Sequence, residues 1–116
     1  MTAEEAFCDL FDKYGEDFNW SMVPFTEAKG TLVDELKREI GELHFLYNKT
    51  VYAVAKCDSN DDVLYVCDKE NGKDVYYIFH LTWHSPNEKG FPKYIEIVGI
   101  DAVKEYIEKV YVSEYL

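Results

Sequence analysis

The sequence predicts an α+β fold: two N-terminal helices, a four-stranded antiparallel meander and a C-terminal helix packed on the sheet. Three observations lead there. Apolar residues recur every three or four positions up to Ile40 and again beyond Gly99, whereas the region between alternates apolar with polar. An Asn71-Gly72 pair separates two of the alternating runs and is the strongest short-range signal for a β-hairpin. The connections between runs are too short for crossovers, so neighbouring strands are antiparallel. With 116 residues, 47% of them hydrophobic, the chain reads as one domain, 1–116, able to bury a core without disulfide or metal staples.

The first helix is predicted over Thr2–Tyr14. Thr2 and Glu5 have capping-box spacing, Ala6, Phe7, Leu10, Phe11 and Tyr14 make one apolar face, and Gly15 ends the element. Cys8 lies inside this amphipathic pattern and is expected in the core. The stretch EDFNWSMVPF reads as an irregular connection whose Trp20 and Phe25 cover the core. A second helix is predicted over Glu27–Ile40. Gly30 weakens its first turn, which points to a start at Thr31, where Thr31 and Asp34 again have capping spacing. Leu32, Leu36, Ile40 and Leu43 should face inward, Asp34, Glu35, Lys37 and Arg38 should face water, and Gly41 terminates the helix.

Four strands follow: Val51–Cys57, Asp62–Cys67, Val75–Trp83, and KYIEIVG from Lys93, the last preceded by the loop SPNEKGFP. In the long strand, Val75, Tyr77, Phe79, Leu81 and Trp83 share one face, which should lie under helices. Tyr76, Ile78, His80, Thr82 and His84 share the other, which turns polar from His80 as though the strand emerges into a cleft or open water. The last helix is predicted over Ile100–Tyr111 with Ile100, Val103, Ile107 and Val110 inward.

Composition narrows the functional classes. Twenty-three acidic against 12 basic residues give a net charge of −11, which repels phosphate backbones and anionic membranes. Nucleic acid and membrane are therefore not expected as partners, whereas a basic protein is compatible. No segment approaches the roughly 18 apolar residues of a membrane span. The acidic start MTAEEAFCDL lacks the basic and apolar parts of a signal peptide, so a cytoplasmic location is expected. Cys8, Cys57 and Cys67 are an odd number without CxxC spacing and read as free thiols. There is no P-loop, GxGxxG or Ser-His-Asp order, and no cofactor is implied.

Three groups of residues are candidates for chemistry. His80 and His84 do not make a zinc site, because two positions four apart on a strand are roughly 13 Å apart, too far for ligands at about 2 Å from one ion. His80 reads either as a hydrogen-bonded structural residue or as a binding or catalytic group. Asp61 and Asp62 are adjacent carboxylates, able in principle to hold a cation or to tune one another for acid–base work, but equally at home as turn residues bonding the local backbone. If the hairpin turns at Asn71-Gly72, Asp61 and Asp62 fall beside the segment His80–Trp83. His44 follows a helix end and is expected to cap its carbonyls.

The segments LKREIGELHFLY, VYAVAKCDSNDDVLY, YYIFHLTWHS and GFPKY, in that order, resemble a family of small uncharacterised bacterial proteins with DDVL(Y/F) and HLTW strand motifs. The resemblance spans about Leu36–Pro92 and implies that His44, Asp61, Asp62, His80, Trp83 and Pro92 are the positions of interest. The family has a small or polar residue after HLTW where this chain has His84, so His84 falls outside it. No chemistry comes with the resemblance.

Two functions of different kinds follow. A small, acidic, aromatic-rich protein fits a non-enzymatic module that binds a basic protein, the profile of bacterial immunity proteins that neutralise basic toxin nucleases, with Asp61, Asp62, His80, Thr82 and Trp83 as contact residues. Alternatively, His44, Asp61, Asp62, His80 and Trp83 line the pocket of a small enzyme or ligand-binding protein, with His80, Asp62 and His44 as its catalytic candidates.

Overall fold

The computed structural model describes residues 1–70, 73–83 and 92–116. The hairpin tip at Asn71-Gly72, His84 and nearly all of the loop before Pro92 lie outside the described residues.

Helix α1 (Ala3–Tyr14) starts where the sequence indicates: Thr2 Oγ1 accepts from the Glu5 amide at 3.1 Å, and Glu5 Oε1 accepts from the Thr2 amide at 3.0 Å. Gly15 at φ 71° ends it, a conformation that side chains with a Cβ resist. Phe7 and Leu10 are buried, but Cys8 is exposed. It stands 100° round the axis from Phe7, on the side away from Leu10 and Tyr14, and is therefore off the apolar stripe.

The connection after α1 is not wholly irregular. Trp20–Met22 forms strand β1, which pairs antiparallel with β2 (Tyr52–Cys57) in the register Trp20↔Cys57. The sheet thus has five strands, not four. Three residues are too few to show a period, and the partner lies more than thirty positions away, so only the tertiary pairing defines the strand. Trp20 is buried as expected, whereas Phe25 is 94% exposed and covers nothing.

Helix α2 (Thr31–Ile40) begins at the later of the two starts. Gly30 occupies the N-cap and no side chain bonds there, so Thr31 and Asp34 do not form a capping pair. Val33 and Leu36 are buried, yet so are Glu35 and Glu39, and Leu43 is fully exposed. Glu35, expected in water, is ion-paired with the Arg38 guanidinium without hydrogen-bond geometry.

Strands β3 (Asp62–Glu70), β4 (Lys73–His80) and β5 (Lys93–Val98) complete an antiparallel sheet in the order β1-β2-β3-β4-β5. Helix α3 (Ile100–Tyr115) runs longer than predicted, and Tyr111 rather than Val110 joins Val103 and Ile107 in the core. No helix among the described residues is long and apolar enough to cross a membrane.

Both faces of the sheet are covered. Ala55, Cys57, Leu64, Tyr76 and Ile78 pack against Phe7 and Leu10 of α1 and Val103, Ile107 and Tyr111 of α3. Ala53, Val63, Tyr65, Val75, Tyr77, Phe79 and Leu81 pack against Val33 and Leu36 of α2 and against Leu46. Ala53 and Ala55 would share a face in a regular strand. The irregularity in pairing between them resets the alternation and turns Ala55 and Cys57 towards α3. The even-numbered face of β4 is core as far as Ile78, where α1 and α3 close over it, and opens at the exposed His80, the point where the sequence turns polar.

Candidate functional site

The β3–β4 hairpin pairs Asp62 with His80: the pair beside Asn71-Gly72, Glu70↔Lys73, would by itself set Asp62 opposite Leu81, and the irregularity between Cys67 and Glu70 moves the register by one residue. His80 Nδ1 lies 2.8 Å from Asp62 Oδ1. A carboxylate can only accept, so Nδ1 carries the proton of this bond, and in the neutral imidazole Nε2 is then the acceptor. Neither aspartate carboxylate makes the local turn bond expected of it. Asn60 does, accepting the Asp62 amide at 2.8 Å, while Asp61 Oδ1 accepts from the Trp83 indole at 3.3 Å and its carbonyl accepts the Leu81 amide at 3.0 Å. Both carboxylates therefore reach across to the end of β4.

Thr82 and Trp83 are held by a residue that periodicity did not single out. Glu39, 3% exposed, accepts through Oε1 from the Thr82 amide at 2.8 Å and the Thr82 hydroxyl at 2.9 Å, and through Oε2 from the Trp83 amide at 2.9 Å. Trp83 has φ 59°, a left-handed conformation that a bulky residue keeps only when its surroundings impose it. Consecutive amides aimed at one carboxylate form a small anion-binding nest, and the nest is filled by α2 itself. The signal for Glu39 was its place on the helix: it lies within 60° of Leu36 on the side facing Leu32, inside the apolar stripe. A carboxylate there has to meet donors. Burial, and behind it the Glu39 charge, push the Tyr65 phenol well above its ordinary range, and the phenol donates to the Leu32 carbonyl at 2.7 Å.

His44 stands apart from this cluster. Its ring stacks on Phe45 at 4.6 Å and packs against Tyr94 at 5.9 Å and Phe79 at 6.1 Å, on the α2 side of the sheet. His80 is on the other side, where it lines a shallow cavity of about 310 Å³ with Asp62, Ile78, Ile95 and Tyr106. His44 does not cap α2: its Nδ1 accepts from the Leu46 amide at 3.1 Å, and burial holds the imidazole below its usual range. The loop carbonyls are taken by Lys37, whose Nζ donates to Leu46, Tyr47 and Lys49 at 2.6–2.7 Å. Desolvation lowers that amine's pKa in return.

The predicted residues thus fall into three groups. Asp62 and His80 pair on the α3 side, Asp61, Thr82 and Trp83 gather with Glu39 at the exit of β4, and His44 joins an aromatic cluster with Phe45, Tyr77, Phe79 and Tyr94. Pro92 is buried at the start of β5. An Asp–His pair with Nε2 outward has the geometry of a general base, but among the described residues its cavity is lined by no Ser, Thr or Cys. No three His, Cys, Asp or Glu side chains among the described residues are grouped to hold a metal. No family model, no curated protein and no solved structure matches this chain.

Proposed function

We propose that this protein is a non-enzymatic binding module for a basic protein, in the manner of an immunity protein. The observation that carries this reading is the gathering of large exposed apolar side chains around β5. Tyr94, Ile95 and Val98 on the strand, Phe45 against Tyr94 and Tyr106 beside Ile95 are all exposed. Exposed carboxylates accompany them at Glu42 and Glu96. Exposed aromatic residues interspersed with a few charges are common where proteins associate. The net charge of −11 selects a cationic partner and speeds its encounter. Membership of the family with DDVL(Y/F) and HLTW motifs belongs to the same proposal.

The pocket reading has less behind it, since His44 and His80 sit on opposite faces of the sheet and offer no common cavity. The test is affinity capture on immobilised wild-type protein and on the double variant Phe45→Ala, Tyr94→Ala. Wild type should retain a discrete basic protein that salt releases, and the variant should lose it at unchanged helicity. Retention of neutral or acidic proteins, or equal retention by the variant, would count against the reading.

A further inference from the structure

The two long sides of the sheet differ in how they end. Among the described residues β5 pairs only with β4, so a row of its amides and carbonyls faces outward. Every residue from Lys93 to Val98 except Ile97 is exposed. A six-residue edge bearing Tyr94, Ile95 and Val98 is the kind that other chains pair with unless it is blocked. The side chains beside it are graded. On the α2 side Tyr94, Glu96 and Val98 follow one another opposite Phe79, Tyr77 and Val75. The Glu96 carboxylate is held between its apolar neighbours, because Tyr77 donates its hydroxyl to Oε1 at 2.9 Å. On the α3 side Ile95 is opposite Ile78, with Asp62 and Tyr106 lining the same cavity.

From this we infer that the basic partner is taken up by strand addition: an extended segment of it pairs with Tyr94–Val98 as a sixth strand. This rests on the basic-partner reading and names how that partner docks. Main-chain hydrogen bonds along β5 supply affinity that is indifferent to sequence, and side chains supply the choice. On the α2 side the added strand presents a lysine or arginine to Glu96, flanked by apolar residues against Tyr94 and Val98. On the α3 side it lays an apolar residue beside Ile95. A second copy of this chain would bring a further −11 charge to the same edge, so net charge favours a cationic segment over self-association.

The experiment is amide hydrogen exchange on the full-length 15N-labelled protein, with the capped peptide Val-Thr-Lys-Val-Val-Thr as the probe, whose one face carries a lysine between two valines. The same peptide with glutamate in place of lysine is the control. The lysine peptide should slow exchange at alternate β5 amides at least tenfold, with protection falling as salt is raised, and the glutamate peptide should not. Glu96→Lys should weaken the lysine peptide at least tenfold while the fold is retained. Lysine-peptide shifts that map elsewhere, with β5 amides unchanged, overturn strand addition but leave a basic partner standing. No binding of the lysine peptide at low salt overturns both. Protection of β5 that grows with protein concentration in the absence of peptide names a second copy as the occupant and likewise overturns the proposal.

Discussion

The sheet ends in two edges built on opposite principles. At β1 the edge is three residues long, and its first residue, Trp20, is buried against Phe7 of α1 with ring centroids 6.4 Å apart. Ser21 donates to the Asp58 carboxylate at 2.8–3.0 Å, and the Asp58 amide donates to the Asn19 carbonyl at 2.6 Å, so the short strand is stitched to its neighbour beyond the ladder. At β5 the edge is twice as long, and its Tyr94, Ile95 and Val98 are only partly covered. Shortness and a buried anchor close one edge, while the other has no second strand among the described residues. An edge that is left long, apolar and open in an otherwise well-covered sheet is where association belongs.

Substitutions can break this contrast from either side. The largest effect is expected at the closed edge: Trp20→Ala should cost about 3–5 kcal/mol, as for large aromatic residues truncated in a core, measured by urea denaturation with the m-value checked for constancy. A loss under 1 kcal/mol would mean that β1 does not anchor its edge. Next comes the approach to the open edge, where Glu39 holds the exit of β4. Glu39→Ala leaves two amides and a hydroxyl without their acceptor and should cost roughly 2–3 kcal/mol. Exchange should rise at the Thr82 and Trp83 amides before it rises elsewhere, and unchanged exchange there would refute the latch.

A smaller effect concerns the aromatic cluster beside β5. His44 titrates below its ordinary 6.5 in the folded protein because burial disfavours its charged form. The unfolded chain therefore binds the proton first as the pH falls, and stability drops progressively below about 6.5. Denaturation at pH 8 and pH 5 should show that drop in wild type and a shallower one in His44→Phe. Identical pH dependence would place the titration elsewhere. The smallest stability change belongs to β5 itself: Ile95→Lys, on an exposed position, should stay within about 0.5 kcal/mol of wild type while weakening any partner at that edge. A large loss of stability would show that Ile95 is structural and that the edge is less open than it looks.

Much of this architecture can be read without coordinates, because it follows from local rules. The Thr2–Glu5 capping box, the stops at Gly15 and Gly41 and the four later strands each depend on residues a few positions apart. A hairpin about Asn71-Gly72 brings Asp62 within one position of His80, and the irregularity between Cys67 and Glu70 makes them direct partners. Longer-range features escaped for one reason: their partner is distant in sequence. Strand β1 exists through Cys57 and Ala55, and the burial of Glu35 and Glu39 depends on what α2 packs against. The separation of His44 from His80 depends on which side of the sheet the loop after α2 crosses.

By itself, then, the sequence determined an α+β chain of strongly negative charge, the limits of α1, the stop of α2, the start of α3, and the nearness of Asp61 and Asp62 to the segment His80–Trp83, from periodicity, capping and turn chemistry. Tertiary structure decided that both sheet faces are core, that Glu39 joins Asp61 in holding the exit of β4, and that β5 ends the sheet among the described residues. Burial and edge exposure are properties of which surfaces meet, and no pattern of neighbours along the chain contains that.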